Sequence, residues 1–130
     1  MTDALLDTTL FIDIRRGGDA SADGVWEDIK SGKRRGPFSA VTAYELWVGP
    51  GFTREEELLF ESMFALLEPV SVSVLSAKLA GQWLRDEPQR VELIFRDALI
   101  AAVALERGEP VLTRNQRDFE RFPGVQVETY

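Results

Sequence analysis

With 130 residues, 45% of them hydrophobic, and no cysteine or histidine, the chain can build a core without disulfide or zinc staples but cannot run Ser-His or Cys-His chemistry. Its formal charge of −7 excludes a passive nucleic-acid coat, which needs a basic face, yet leaves room for a nuclease whose acids gather at a site rimmed by arginines. No apolar run reaches membrane-spanning length and no basic segment precedes one at the start, so neither anchor nor signal peptide is expected, and the compartment expected is a reducing cytoplasm.

In chain order, the run Ala4-Leu5-Leu6 ends in Asp7-Thr8-Thr9 and reads as a buried strand feeding a helix. A first strand of this kind sits centrally in a parallel sheet, with Asp7 at the crevice where such folds place their sites. The plainer reading of Asp7 is a helix cap, accepting backbone N–H groups at the positive end of the dipole. Leu10, Phe11 and Ile14 repeat at helical spacing until Arg15-Arg16-Gly17-Gly18, and residues 19–30 give a second helix with Val25, Trp26 and Ile29 as its stripe. Lys33-Arg34-Arg35 reads as a solvated basic turn.

Residues 37–41 read as a strand, and Thr42-Ala43-Tyr44-Glu45 opens a helix with capping-box spacing, so Glu45 has a local role open to it as well as a functional one. The same signature recurs at Thr53-Arg54-Glu55-Glu56. There Leu59, Met63, Leu66 and Leu67, flanked by Phe60 and Phe64, make a face broad enough to meet another subunit. Residues 68–72 suit an edge strand, and residues 73–86 an amphipathic helix through Leu75, Leu79, Trp83 and Leu84, with Trp83 in the core. Residues 91–95 fit strand or helix equally well. Arg96-Asp97 then starts an alanine-rich buried helix that ends at Arg107-Gly108, with Asp97 either turned inward to a partner or held by the first-turn dipole. Residues 110–113 are a further strand, Asn115 caps a short helix carrying Asp118, and residues 124–127 close the chain as a last strand. Strict βα alternation over residues 1–130 predicts one domain, a three-layer α/β/α sandwich around a mainly parallel sheet.

Asp7, Glu45, Asp97 and Asp118 each follow a strand or lie early in a helix, which would gather them at one end of the sheet. Carboxylates so crowded repel one another unless a cation neutralises them. Lysine is sparse, with Lys30, Lys33 and Lys78 all away from a candidate nucleophile, so reactivity falls to a hard, oxygen-bound cation such as Mg2+, with Mn2+ as substitute. Phosphodiester hydrolysis is the natural reaction of such a centre.

The chain resembles the PIN-domain ribonucleases, particularly the toxin component of VapBC-type toxin–antitoxin pairs. The resemblance rests on Leu5-Leu6-Asp7-Thr8-Thr9-Leu10-Phe11-Ile12-Asp13, Ser39-Ala40-Val41-Thr42-Ala43-Tyr44-Glu45-Leu46 with Gly49, Asp97-Ala98-Leu99-Ile100-Ala101-Ala102, and Thr113-Arg114-Asn115-Gln116-Arg117-Asp118-Phe119, which together span nearly the whole chain. It implies a magnesium-dependent endoribonuclease in which Asp7 and Asp97 hold the metal most directly. Glu45 would complete the cluster and orient the water, and Asp118 with Asn115 would form its outer edge. Thr8 and Thr113 would position carboxylates or phosphate, and Thr9 stands where the family often has asparagine or serine. Arg15, Arg16, Arg96, Arg114 and Arg117 are the candidates for gripping RNA phosphates. The family also implies a homodimer and a cognate antitoxin whose peptide covers an apolar groove, for which Trp26 and Trp47 are candidates, and places an arginine among the acids. A catalytically idle PIN-like binding module is the competing reading, disfavoured because an idle copy has no need of mutually repelling acids. A phospho-aspartate receiver would need a late-strand lysine that residues 110–113 lack, and an aspartate-based phosphatase prefers a second Asp where Thr9 stands.

Overall fold

In the computed structural model, which describes residues 3–130, five strands are found among the described residues: β1 (Leu5–Leu6), β2 (Pro37–Ser39), β3 (Glu68–Val70), β4 (Val111–Leu112) and β5 (Val127–Glu128). They form one sheet of order β3-β2-β1-β4-β5, every pairing parallel, with Leu6 opposite both Phe38 and Leu112. The strand that opens the chain is therefore the central one, as its uninterrupted apolar character predicts.

Successive side chains on a strand point to opposite faces, and here that alternation divides two cores. Leu5 and Val111 pack on one face against Ala80 and Leu84 of α5 (Val74–Arg85) and the alanines of α6 (Val91–Arg107). Leu6 and Leu112 pack on the other face against α1 (Thr8–Arg16), α2 (Ala20–Lys30) and α4 (Arg54–Phe64). The remaining α-helices among the described residues are α3 (Ala40–Trp47) and α7 (Gln116–Glu120). The result is the expected three-layer α/β/α sandwich.

Several local expectations are corrected, and one left open is resolved. Alternation is not strict, since α1 and α2 lie together between β1 and β2, as do α3 and α4 between β2 and β3. Residues 91–95 are helical, because Ile94, Ala98 and Ala101 continue one buried stripe at helical spacing and leave Leu93 exposed. The last strand sits later than expected, at Val127–Glu128. Leu75 is exposed, while Ser76, Ala80 and Leu84 form the buried line of α5. Arg34 is not solvated: its side chain is 8% exposed and pairs with Glu128 at 2.8 Å, as a buried guanidinium requires. On α4, Phe60 and Met63 are buried, and Phe64 joins Phe11, Phe38 and Trp47 in an aromatic cluster, so most of the broad apolar face serves this chain's own core.

Gly108 ends α6 in the left-handed conformation (φ 68°), its amide donating to the Ala104 and Leu105 carbonyls. A Cβ there would meet nothing within 4 Å, so only the backbone penalty remains. Gly108→Ala is expected to lower stability by about 1 kcal/mol, read as a lower urea midpoint with an unchanged slope.

Candidate active site

The chain order reverses at the β1–β4 boundary: β2 and β3 extend the sheet to one side of β1, and β4 and β5 fill the other. A crevice opens beyond the carboxyl ends of the strands at such a point. Asp7 directly follows β1 and Thr113 directly follows β4, and the Thr113 hydroxyl donates to Asp7 Oδ2 at 2.7 Å. The Thr9 hydroxyl donates to the same oxygen at 3.0 Å.

Asp7 occupies the N-cap position of α1, with extended backbone, but its side chain makes no cap hydrogen bond. The first-turn amides thus influence its carboxylate without closing a cap hydrogen bond, and capping alone does not account for it. Burial pushes the Asp7 carboxyl above its ordinary range, outweighing the Thr113 and Thr9 hydroxyls and the neighbouring Thr8 and Thr9 amides. Thr113 is held in turn by the Asn115 amide, which donates to its hydroxyl at 2.9 Å.

Glu45 reaches the same crevice by another route. Ser39 caps α3, accepting from the Val41 amide at 3.0 Å, which puts Thr42 inside the first turn and Glu45 a turn beyond it. No Thr42–Glu45 capping box forms. Instead the Thr8 hydroxyl donates to Glu45 Oε1 at 2.6 Å and lies 2.9 Å from the Thr42 hydroxyl. Thr8 has one proton to give, so the buried Thr42 hydroxyl donates to Thr8 and completes a relay into the carboxylate. Arg96 Nε stands 3.6 Å from Glu45 Oε2. Burial raises the Glu45 carboxyl, with the charge of Asp7 adding to the rise.

Asp97 is the seventh residue of α6, beyond the first turn where the helix dipole acts, so the dipole does not account for it. Its carboxyl is pushed up to about 7, first by burial and then by the charges of Asp7, Asp118 and Glu45, with Arg121 opposing. That mutual influence brings the four predicted acids into one field. Asp118 lies on α7, the most open of the four, 3.8 Å from Arg121. Arg114, Asn115, Gln116, Arg117 and Asp118 line an adjoining polar cavity of about 450 Å³.

The candidate phosphate-gripping arginines are not equivalent. Arg15 pairs with Glu56 at 3.1 Å, and Arg114 pairs with Asp13 at 2.9 Å and also with Asp19. Arg96 stands beside Glu45, while Arg16 and Arg117 are exposed and, among the described residues, in no ion pair. Of the two candidate groove tryptophans, Trp26 packs into the core beneath α2, whereas Trp47 lines an apolar groove with Phe38, Ala43, Tyr44, Phe64 and Pro69. Sequence reasoning missed Thr42, Asp13 and Tyr130, whose partners lie too far along the chain for spacing to reveal, and also Arg121, which stands only three residues after Asp118.

Among the described residues no three acidic side chains converge as a ready-made metal cage. The donor set nevertheless fits a hard cation held by few protein ligands. Magnesium typically takes one or two carboxylates and fills its octahedron with water. Among the described residues Asp7 and Asp97 have no arginine within ion-pair distance, whereas Arg96 and Arg121 stand beside Glu45 and Asp118.

A family model described as PIN domain matches residues 4–125. Among curated proteins, Ribonuclease VapC19 of Mycobacterium tuberculosis is 31% identical over 127 residues, covering 94% of this chain and 96% of that protein. Ribonuclease VapC of Rickettsia bellii is 26% identical over 135 residues, covering 96% of this chain and 94% of that protein. Among solved structures, DNA-bound VapBC from Salmonella typhimurium aligns with a TM-score of 0.77 at 25% identity, covering 99% of this chain and 98% of that chain.

Proposed function

We propose, since this chain belongs to the PIN-domain family, that it is a divalent-metal-dependent endoribonuclease acting in the cytoplasm as the toxin of a toxin–antitoxin pair. What supports the reading is that Asp97 feels the charges of Asp7, Glu45 and Asp118, carried on separate elements, and that Asp7 directly follows the central strand at the sheet's switch point. The ribonuclease names of the relatives and the VapBC complexes among the structural neighbours support it.

In this reading Asp7 and Asp97 hold Mg2+, for which Mn2+ substitutes, while Glu45 and Asp118 act around its water shell. When bound, the cation supplies a Lewis acid for a phosphodiester oxygen and lowers the pKa of a water. The chain's own part is orientation and proton transfer. Thr8 occupies Glu45 Oε1, leaving Oε2 to take a proton from the attacking water, a task suited to a carboxyl raised by burial. Thr113 and Asn115 fix the Asp7 side of the crevice, and Arg16, Arg96 and Arg117 grip phosphates around it. A cognate antitoxin and a second copy of the chain are the proposed protein partners.

The purified protein is expected to cleave RNA with magnesium or manganese, to lose cleavage on chelation with EDTA, and to regain it when metal is restored. Cleavage that survives chelation would exclude the metal site. In cells, expression is expected to arrest growth and co-expression of the neighbouring antitoxin gene to relieve the arrest. Harmless accumulation of folded wild-type protein would remove the toxin role while leaving the nuclease chemistry standing.

A further inference from the structure

Asp7 Oδ2 accepts from both Thr113 and Thr9, which fills its acceptor positions and leaves Oδ1 free of side-chain donors among the described residues. What holds those two hydroxyls is a second layer of contacts. Arg114, next to Thr113, donates through Nε to Asp13 Oδ2 at 2.9 Å and through Nη2 to Asp19, the N-cap of α2. Asp13 is buried and lies four residues after Thr9, on the same face of α1. The Tyr130 hydroxyl donates to Asp13 Oδ2 at 2.7 Å and sits 3.4 Å from the Thr9 hydroxyl, while the Arg114 guanidinium lies over its ring, 5.0 Å from the centroid. From Asp7 the hydrogen bonds and the chain run through Thr113, its neighbour Arg114, Asp13 and Tyr130, and Tyr130 then lies against Thr9, which returns a hydrogen bond to Asp7.

We infer that Arg114 is a positioning residue for the proposed metal site, clamping the β4–α7 connection onto α1 with Asp13 and Tyr130 so that the Asp7 carboxylate presents one fixed oxygen. The inference rests on the ribonuclease reading and gives Arg114 a role other than phosphate gripping. Its guanidinium is shared between two aspartates, so the group as a whole carries negative charge and does not attract a phosphate. Asp13 fits the same picture: burial raises its carboxyl, but Tyr130 and Arg114 overcome this and hold it below its ordinary range as a firm anion. Burial and the Asp13 charge push the Tyr130 hydroxyl up to about 12, so it remains a donor at working pH.

Arg114→Gln separates the two roles in the full chain. As a positioning variant it is expected to lower kcat about 10-fold with KM for RNA and its salt dependence unchanged, and to weaken Mn2+ binding about 10-fold by calorimetry. Tyr130→Phe is expected to shift both in the same direction by less, and adding Asp13→Asn to Arg114→Gln to cost little more than either change alone. A raised KM with a flattened salt dependence, at unchanged kcat and Mn2+ affinity, would overturn the clamp in favour of phosphate contact, as would no change at all. The Asp7 carboxyl 13C shift in metal-free protein gives a reading that needs neither RNA nor metal. If wild type cleaves nothing but Arg114→Gln still moves that resonance, the nuclease reading falls and the clamp stands; an unmoved resonance overturns the clamp.

Discussion

Asp7→Asn and Asp97→Asn are each expected to lower RNA cleavage on the order of 10³-fold or more, with the circular dichroism spectrum of the wild type retained. The amide is nearly isosteric, so what changes is charge and donor pattern. At position 7 the amide oxygen is expected to take the place of Oδ2, because Thr113 and Thr9 both donate there. The amide NH2 then takes the place of Oδ1, offering donors where a cation requires an anionic oxygen. At position 97 the substitution removes the carboxylate that feels the other three acids, and with it the second anionic side of the proposed centre. Asp23→Asn, on an exposed stretch of α2, is the matched control and should cleave as wild type does. Cleavage retained in either site variant would remove that residue from the metal site.

The parts of this site that could be read from the sequence are those whose signals are local. An apolar run cut off by a carboxylate marks β1 and Asp7, because a central parallel strand must be apolar on both faces and its end must open on a polar crevice. Glu45 could be selected but its environment could not. Ser39 and Thr42 are both competent caps, and Ser39 takes the role because the strand ends there, which frees Thr42 for a partner 34 residues away. Asp97 could be seen to face inward, yet five residues of ambiguous period hid the fact that its helix begins at Val91 and that the dipole therefore does not act on it. The Arg114 pairings span 101 and 95 residues, and an arginine beside an acidic motif looks the same in sequence whether it meets a phosphate or a buried aspartate.

In metal-free protein, Asp97, one of the two acids proposed to hold the metal, is expected to be a source of instability. The folded-state pKa of Asp97, about 7, lies above its ordinary value of 3.8, so between those values the native state keeps a proton that the unfolded chain has released. The contribution is fully present below about pH 4 and is lost as pH rises through about 7. Metal-free wild type should therefore lose stability relative to Asp97→Asn across that window. Because Asp97 is only partly buried, the variant is expected to be more stable at pH 8 by on the order of 1–3 kcal/mol, less than the full shift would give. Urea titrations of both proteins at pH 5 and pH 8, with and without Mn2+, measure this directly. Manganese should stabilise wild type and leave Asp97→Asn nearly unchanged, since a ligand stabilises only the state that binds it. A stability difference independent of pH would mean that Asp97 is ionised in the native state without a cation, and the electrostatic case for a metal there would fail. A substitution that abolishes cleavage and strengthens the metal-free fold has the signature of a residue held in place against its own folding cost, which a purely structural acid on α6 would not show.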